Sequence, residues 1–248
     1  MIPYITTPWG NISTFIIMIG IGIISFLVTL HTELKKNSNI NEEIFILPKI
    51  IYSMLVGYFF AALFDSIFKF HENDGIVISG ITFYGGLIGG MFSLYVMLLF
   101  NRERTKYLIK EWFDKLTIPF IIFHIWGRLG CFFAGCCYGK ETNSFIGVKF
   151  PDNNLNNIFH HGNKCFPTQL FEVFALMIIV LFILKTKNKC KTYLVLYAIA
   201  RFIIEFFRGD SRGTFIAFLS PAQIISIFII ILVLAKKYLI KDTHKIIV

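Results

Sequence analysis

Two arginines, Arg128 and Arg201, lie inside stretches that are otherwise apolar, and they define the chemistry open to this chain. A charged side chain near the centre of a bilayer costs roughly 2.5–3.5 kcal/mol on insertion scales, so it is rare there and usually functional. One reading puts both arginines near helix ends, with their heads reaching the lipid headgroups. The other turns them inward, and the polar residues around them favour it. Tyr197, Arg201, Glu205 and Arg208 recur at i, i+4, i+8 and i+11, which is one face of a helix. Lipid would not tolerate such a stripe, so it must face a bundle interior or a wet cavity. Glu205 can pair with Arg201 or Arg208. A purely structural ion pair accounts for Glu205 and Arg208 better than for Arg201.

Arg128 sits in WGRLGCFFAGCCYGK (Trp126 to Lys140), which carries four glycines and three cysteines in fifteen residues. Glycines at 127, 130, 135 and 139 let a backbone or a ligand approach closely. Two guanidiniums converging from different helices suit a phosphodiester, because each presents a planar fork of donors and keeps its charge. In a membrane the nearest phosphodiester is a phospholipid headgroup. FYGGLIGG (Phe83 to Gly90) reads either as close helix packing or as a place where Tyr84, Gly85 and Gly86 line the same cavity. In FPTQLFE (Phe166 to Glu172), Pro167 suits a helix start, and Gln169 and Glu172, three apart, can both face inward. His124 precedes Arg128 by one turn and can serve as a buried polar contact or as a base.

The five cysteines are Cys131, Cys136, Cys137, Cys165 and Cys190. Their spacing matches no standard zinc pattern, even with His160 and His161 near Cys165, so no metal is expected. Adjacent Cys136 and Cys137 can join in a vicinal disulfide, or one can pair with Cys165 in an oxidising exterior. Cys131 suits small-residue packing.

The elements that must hold these residues are membrane helices. Of 248 residues, 56% are hydrophobic and 16% charged, against about 25% charged in a soluble domain. Apolar runs near 13–31, 49–70, 76–100, 116–135, 168–185, 191–208 and 214–236 are long enough to cross about 30 Å of hydrocarbon. The fourth reads as the shortest and most interrupted. The expected fold is all-α, one polytopic bundle of about seven transmembrane helices over residues 1–248. The net charge of +9 lies in the connections, so it reflects topology and excludes nucleic acid as a partner. Sixteen Lys and Arg fall in one alternating set of connections and six in the other. The N-terminus is therefore expected outside and the C-terminus in the cytoplasm, with the polar stretch near 139–166 an outward-facing cap. With no basic segment before it, the first apolar run reads as a retained helix.

GRLGCFFAGCCYG, FPTQLFE, YAIARFIIEFFRGD and LSPAQIISI stand in the order and spacing of the bacterial prolipoprotein diacylglyceryl transferases, and FYGGLIGG resembles that family's FHGGLxG element. The resemblance covers about residues 80 to 230. It implies a cell-membrane enzyme that moves a diacylglyceryl group from phosphatidylglycerol to the thiol of a preprolipoprotein lipobox cysteine. A thioether forms, glycerol phosphate leaves, and no cofactor or metal takes part. By resemblance Arg128, Arg201, Tyr197 and Tyr84 are the catalytic candidates. Gly85, Gly86, Cys131, Cys136, Gly139, Gln169, Glu172, Glu205 and Arg208 line the substrate. The family's signature, GRxGNFxNxExxG, is altered here: Cys131, Ala134 and Cys136 replace Asn, Asn and Glu, and Tyr84 replaces a histidine. Those departures keep other outcomes open: a different donor or acceptor, a lipid-binding protein without chemistry, or a membrane thiol-redox protein.

Overall fold

The computed structural model describes residues 3–7, 10–35, 40–68, 82–105, 107–150, 163–209 and 219–243. A short hairpin, β1 (Tyr4–Thr7) and β2 (Gly10–Ser13), leads into helix α1 (Thr14–Lys35). Helices α2 (Ile40–Phe68) and α3 (Phe83–Phe100) follow, then a 3-10 turn at Arg102–Arg104 and α4 (Ile109–Ala134). A two-stranded pairing of β3 (Val148–Lys149) with β4 (Lys164–Cys165) precedes α5 (Thr168–Ile183), α6 (Lys189–Glu205) and α7 (Pro221–Thr243).

Among the described residues four helices, α1 to α4, are long and apolar enough to cross a membrane, and α5 and the first part of α7 are shorter apolar helices. The side chains show why water is not their solvent. On α5, Val173, Leu176, Ile179 and Ile183 are buried, yet Phe174, Met177, Leu181 and Phe182 are exposed on the other side. A helix apolar all round belongs in a protein core or in lipid. The expected all-α, polytopic membrane fold is what the chain adopts.

Several details differ from expectation. The run near 116–135 is not the short, broken one: α4 is a continuous 26-residue helix with Pro119 inside it. It starts at Ile109, so Lys110 and Lys115 belong to the helix and not to a loop. Residues 76–81, expected to begin the third span, and 151–162, in the middle of the expected cap, lie outside the described residues. The β1–β2 hairpin was not anticipated.

The chain divides into two compact units, and α1, α4 and α7 contribute to both. One comprises Leu30–Leu116 and Arg212–Ile225. Its core is the α2–α3 pair, whose approach depends on glycine. A Cβ on Gly57 would lie 2.9 Å from the Gly86 carbonyl oxygen, and one on Gly85 would lie 2.7 Å from that of Phe60. Nearby, Trp112 is fully buried, stacks on Phe45, and donates its indole N–H to Thr105 Oγ1 at 3.1 Å.

The other unit comprises Met1–Thr29, Thr117–Ser211 and Ser226–Val248. Here α1 packs on α4 through Gly22, against Phe123 and Trp126, and through Gly130, against Phe15 and Met18. α5 and α6 pack side by side. This unit holds both intramembrane arginines.

Candidate active site: a buried arginine–carboxylate centre

Helices α4, α5 and α6 each supply polar residues at one-turn spacing. α4 gives His124 and Arg128, α5 gives Gln169 and Glu172, and α6 gives Tyr193, Tyr197, Arg201 and Glu205. Arg128, Glu172, Tyr197 and Arg201 are all buried, Arg201 with 2% of its surface exposed. Both arginines therefore face inward, and the headgroup-reaching alternative does not hold.

Glu172 is the hub. Its Oε1 lies 2.9 Å from Arg128 Nε and accepts a 2.6 Å hydrogen bond from the Tyr197 hydroxyl. His124 Nε2 stands 3.4 Å from the same oxygen. Arg201 Nη1 is 3.6 Å from Oε2, while its Nη2 meets Glu205 Oε2 at 2.6 Å. The Tyr197 ring stacks on Tyr193 and meets His124 edge-on, which fixes the hydroxyl that reaches Glu172. Arg201 Nη1 has no hydrogen-bond partner among the described residues, and neither has the buried Gln169 Oε1.

A second layer fixes the signature's far end. α4 stops at Gly135, whose φ of +73° suits glycine, and Cys137 adopts φ +64°, a left-handed conformation unusual for a residue with a side chain. Two side chains at the start of α5 hold that turn. Gln169 Nε2 donates to the Cys136 carbonyl at 2.5 Å, and Thr168 Oγ1 to that of Cys137 at 2.8 Å. Gly139 then bridges to Arg208: Lys140 N–H donates to the Phe207 carbonyl, and Gly139 N–H to that of Phe166, both at 2.8 Å. A Cβ at Gly139 would run into Phe207, Phe166 and Thr168, so only glycine fits.

This latch corrects one expectation. Arg208 is not the fourth step of a helical stripe, because α6 ends at Glu205 and a turn delivers Arg208 to the Gly139 bridge. It is still buried, and close enough to Arg201 to repel it electrostatically. The amide nitrogen of Gln169, expected to line the substrate, donates to the Cys136 carbonyl. Tyr84, Gly85 and Gly86 belong to the other unit, where Tyr84 is buried and Gly85 packs on α2. None of the five cysteines is in a disulfide, so neither the vicinal bridge nor a pairing with Cys165 is formed. Burial, and secondarily Glu141, push the Cys165 thiol's pKa up. Tyr193 escaped notice in the sequence. Its signal was its position one turn before Tyr197.

A polytopic helical fold with a buried guanidinium–carboxylate centre defines a membrane protein with a charged site in its apolar interior. The comparisons with known proteins are narrower. A family model described as prolipoprotein diacylglyceryl transferase matches residues 4–238, and the chain belongs to that family. A protein of Clostridium perfringens named phosphatidylglycerol–prolipoprotein diacylglyceryl transferase 2 is 39% identical over 160 residues, spanning 62% of this chain and 59% of its own length. Its counterpart in Clostridium tetani is 31% identical over 229 residues, 87% of this chain and 88% of the relative. One from Dehalococcoides mccartyi (strain 195) is 26% identical over a similar length. The names of the family and these relatives are those of transferases.

Proposed function

We propose that this protein transfers a diacylglyceryl group from phosphatidylglycerol to the thiol of a lipobox cysteine in a preprolipoprotein, at the cytoplasmic membrane. The carrying observation is the pair of buried guanidiniums, of Arg128 and Arg201, that converge from different helices on one carboxylate, that of Glu172. A phosphodiester anion is the natural complement of two such fixed forks of donors. Arg201 Nη1 is the donor left to meet it.

In the reaction the acceptor sulfur, as thiolate, attacks the glyceryl carbon next to the phosphate. The carbon–oxygen bond breaks and that oxygen leaves on glycerol phosphate. The phosphate goes from one negative charge towards two, so fixed guanidiniums stabilise the leaving group more than the ground state. The same positive field favours a thiolate over a thiol. Tyr197 and Glu172 hold the arginines in place; His124 stands nearby as a group able to take the thiol's proton. The chain is read as one membrane domain with its N-terminus outside.

A second reading, lipid binding without transfer, draws on Cys131, Ala134 and Cys136, which replace three polar residues of the family signature. Purified protein incubated with phosphatidylglycerol and a lipobox-cysteine peptide separates the two. Release of glycerol phosphate that requires the peptide, and is lost in Arg201→Ala, supports transfer. Folded protein that binds phosphatidylglycerol and releases nothing would leave only the second reading.

A further inference from the structure

Cys131, Cys136 and Cys137 are scattered as C-x4-C-C in sequence, yet their three Sγ atoms lie within 4.8 Å of one another. The backbone brings them together. Cys131 is on the last turn of α4, the N–H of Cys136 donates to the Cys131 carbonyl at 3.1 Å, and left-handed Gly135 and Cys137 fold the chain back over it. A φ of +64° is strained for a residue with a side chain, so the turn must be held by its neighbours. Gln169 and Thr168 hold the two carbonyls of the turn, so the thiols are arranged before anything binds.

We propose that these three thiols form a site for a divalent thiophilic cation of the zinc class. At a bond length of about 2.3 Å, sulfurs around a tetrahedral ion stand roughly 3.8 Å apart. The trio therefore needs to contract by about 1 Å at most, within reach of side-chain rotation. Charge selects the ion. Three thiolates and a divalent cation carry one net negative charge, and the guanidinium of Arg128 lies within electrostatic reach of Cys131 and Cys137. A monovalent ion would leave two negative charges beside that one arginine. Three thiolates also leave one position of a tetrahedral ion for water or a further thiolate. Binding releases the protons still held by the three thiols. The site does not depend on the transferase reading: it would bind metal in an inactive protein as well.

The test uses the full chain, purified in detergent under a non-thiol reductant and titrated with Co2+ and then Zn2+. One Co2+ per chain, with near-ultraviolet thiolate-to-cobalt absorption that Zn2+ abolishes, is the expected result. Cys131→Ser should weaken binding more than about 100-fold, since even outer-shell partners of a metal are worth 10–100-fold, whereas Cys190→Ser should not change it. If Cys131→Ser does not fold, alkylation of the unmodified protein reads the same site. Zn2+ should protect Cys131, Cys136 and Cys137 and leave Cys190 reactive. No charge-transfer absorption, equal protection of all five thiols, or loss of two hydrogens to a disulfide within the trio while Zn2+ is present would overturn the proposal.

Discussion

Glu172 is where the centre can be broken most informatively. Its carboxylate faces Arg128 at 2.9 Å and Arg201 at 3.6 Å. At an effective dielectric constant of 20 these attractions are roughly 6 and 5 kcal/mol, before the desolvation that opposes them. Glu172→Gln keeps the shape and still accepts from Tyr197, but leaves the buried guanidiniums under-compensated. Removing one partner of a buried pair typically costs about 3–5 kcal/mol, and that is the destabilisation expected here. At about 2–4 °C per kcal/mol the apparent Tm falls by about 6–20 °C. Replacing both members of the closest pair, Glu172→Gln with Arg128→Gln, leaves no orphaned charge between them. The double variant should therefore be at least ~2 kcal/mol more stable than the two single losses added together. Unfolding in mixed detergent micelles, followed by the fluorescence of the three tryptophans, reads all four proteins. Additivity within about 0.5 kcal/mol would refute the coupling, and with it the reading of Glu172 as the hub.

Other consequences can be measured alongside. Tyr197→Phe removes one hydrogen bond to a charged acceptor and should cost about 1.5–3 kcal/mol in the same unfolding assay, with transfer activity reduced as Glu172 loses its anchor. Gly139→Ala forces a Cβ into Phe207, Phe166 and Thr168, so the latch to Arg208 opens; a fall in thermal stability together with faster proteolysis between α4 and α5 would report it. Burial, then the charge of Glu141, raises the pKa of Cys165, so its thiol stays protonated at pH values where an ordinary cysteine has begun to ionise. Its alkylation by a maleimide should lag behind that of half-exposed Cys190 near neutral pH, and speed up only as the pH is raised past that shifted value.

The arginines were legible because hydrocarbon makes a charge conspicuous. Arg128 and Arg201 stand out from any apolar run, and the i, i+4 spacing of Tyr197, Arg201 and Glu205 already defines a face. The identity of the partners was not legible in the same way. Glu172 reads as one more inward polar residue until α4 and α6 are set beside α5, and no local rule says which guanidinium it meets. Arg208 misled for a related reason: helical spacing continued on paper past Glu205, but α6 ends there and the Phe207 carbonyl accepts from the Lys140 N–H instead of continuing the helix. The cysteine trio was hidden because its geometry comes from a left-handed turn, which no periodicity announces. The β1–β2 hairpin is short and lies before the first apolar run, so hydropathy passes over it.

The arrangement at Glu172 also bears on how the protein enters the membrane. Arg128 precedes its carboxylate partner by roughly 44 residues. At about 5–20 residues per second a ribosome needs roughly 2–9 s to bridge that gap. Throughout that interval Arg128 is without its Glu172 counter-charge, and Glu172 cannot help α4 insert. Arg201 meets the opposite situation, arriving when the carboxylate is already in place. The first arginine therefore waits for its carboxylate, and the second finds the first pair already made. The centre proposed to meet an anion in the finished protein is thus also a late fastening, closed from the N-terminal side.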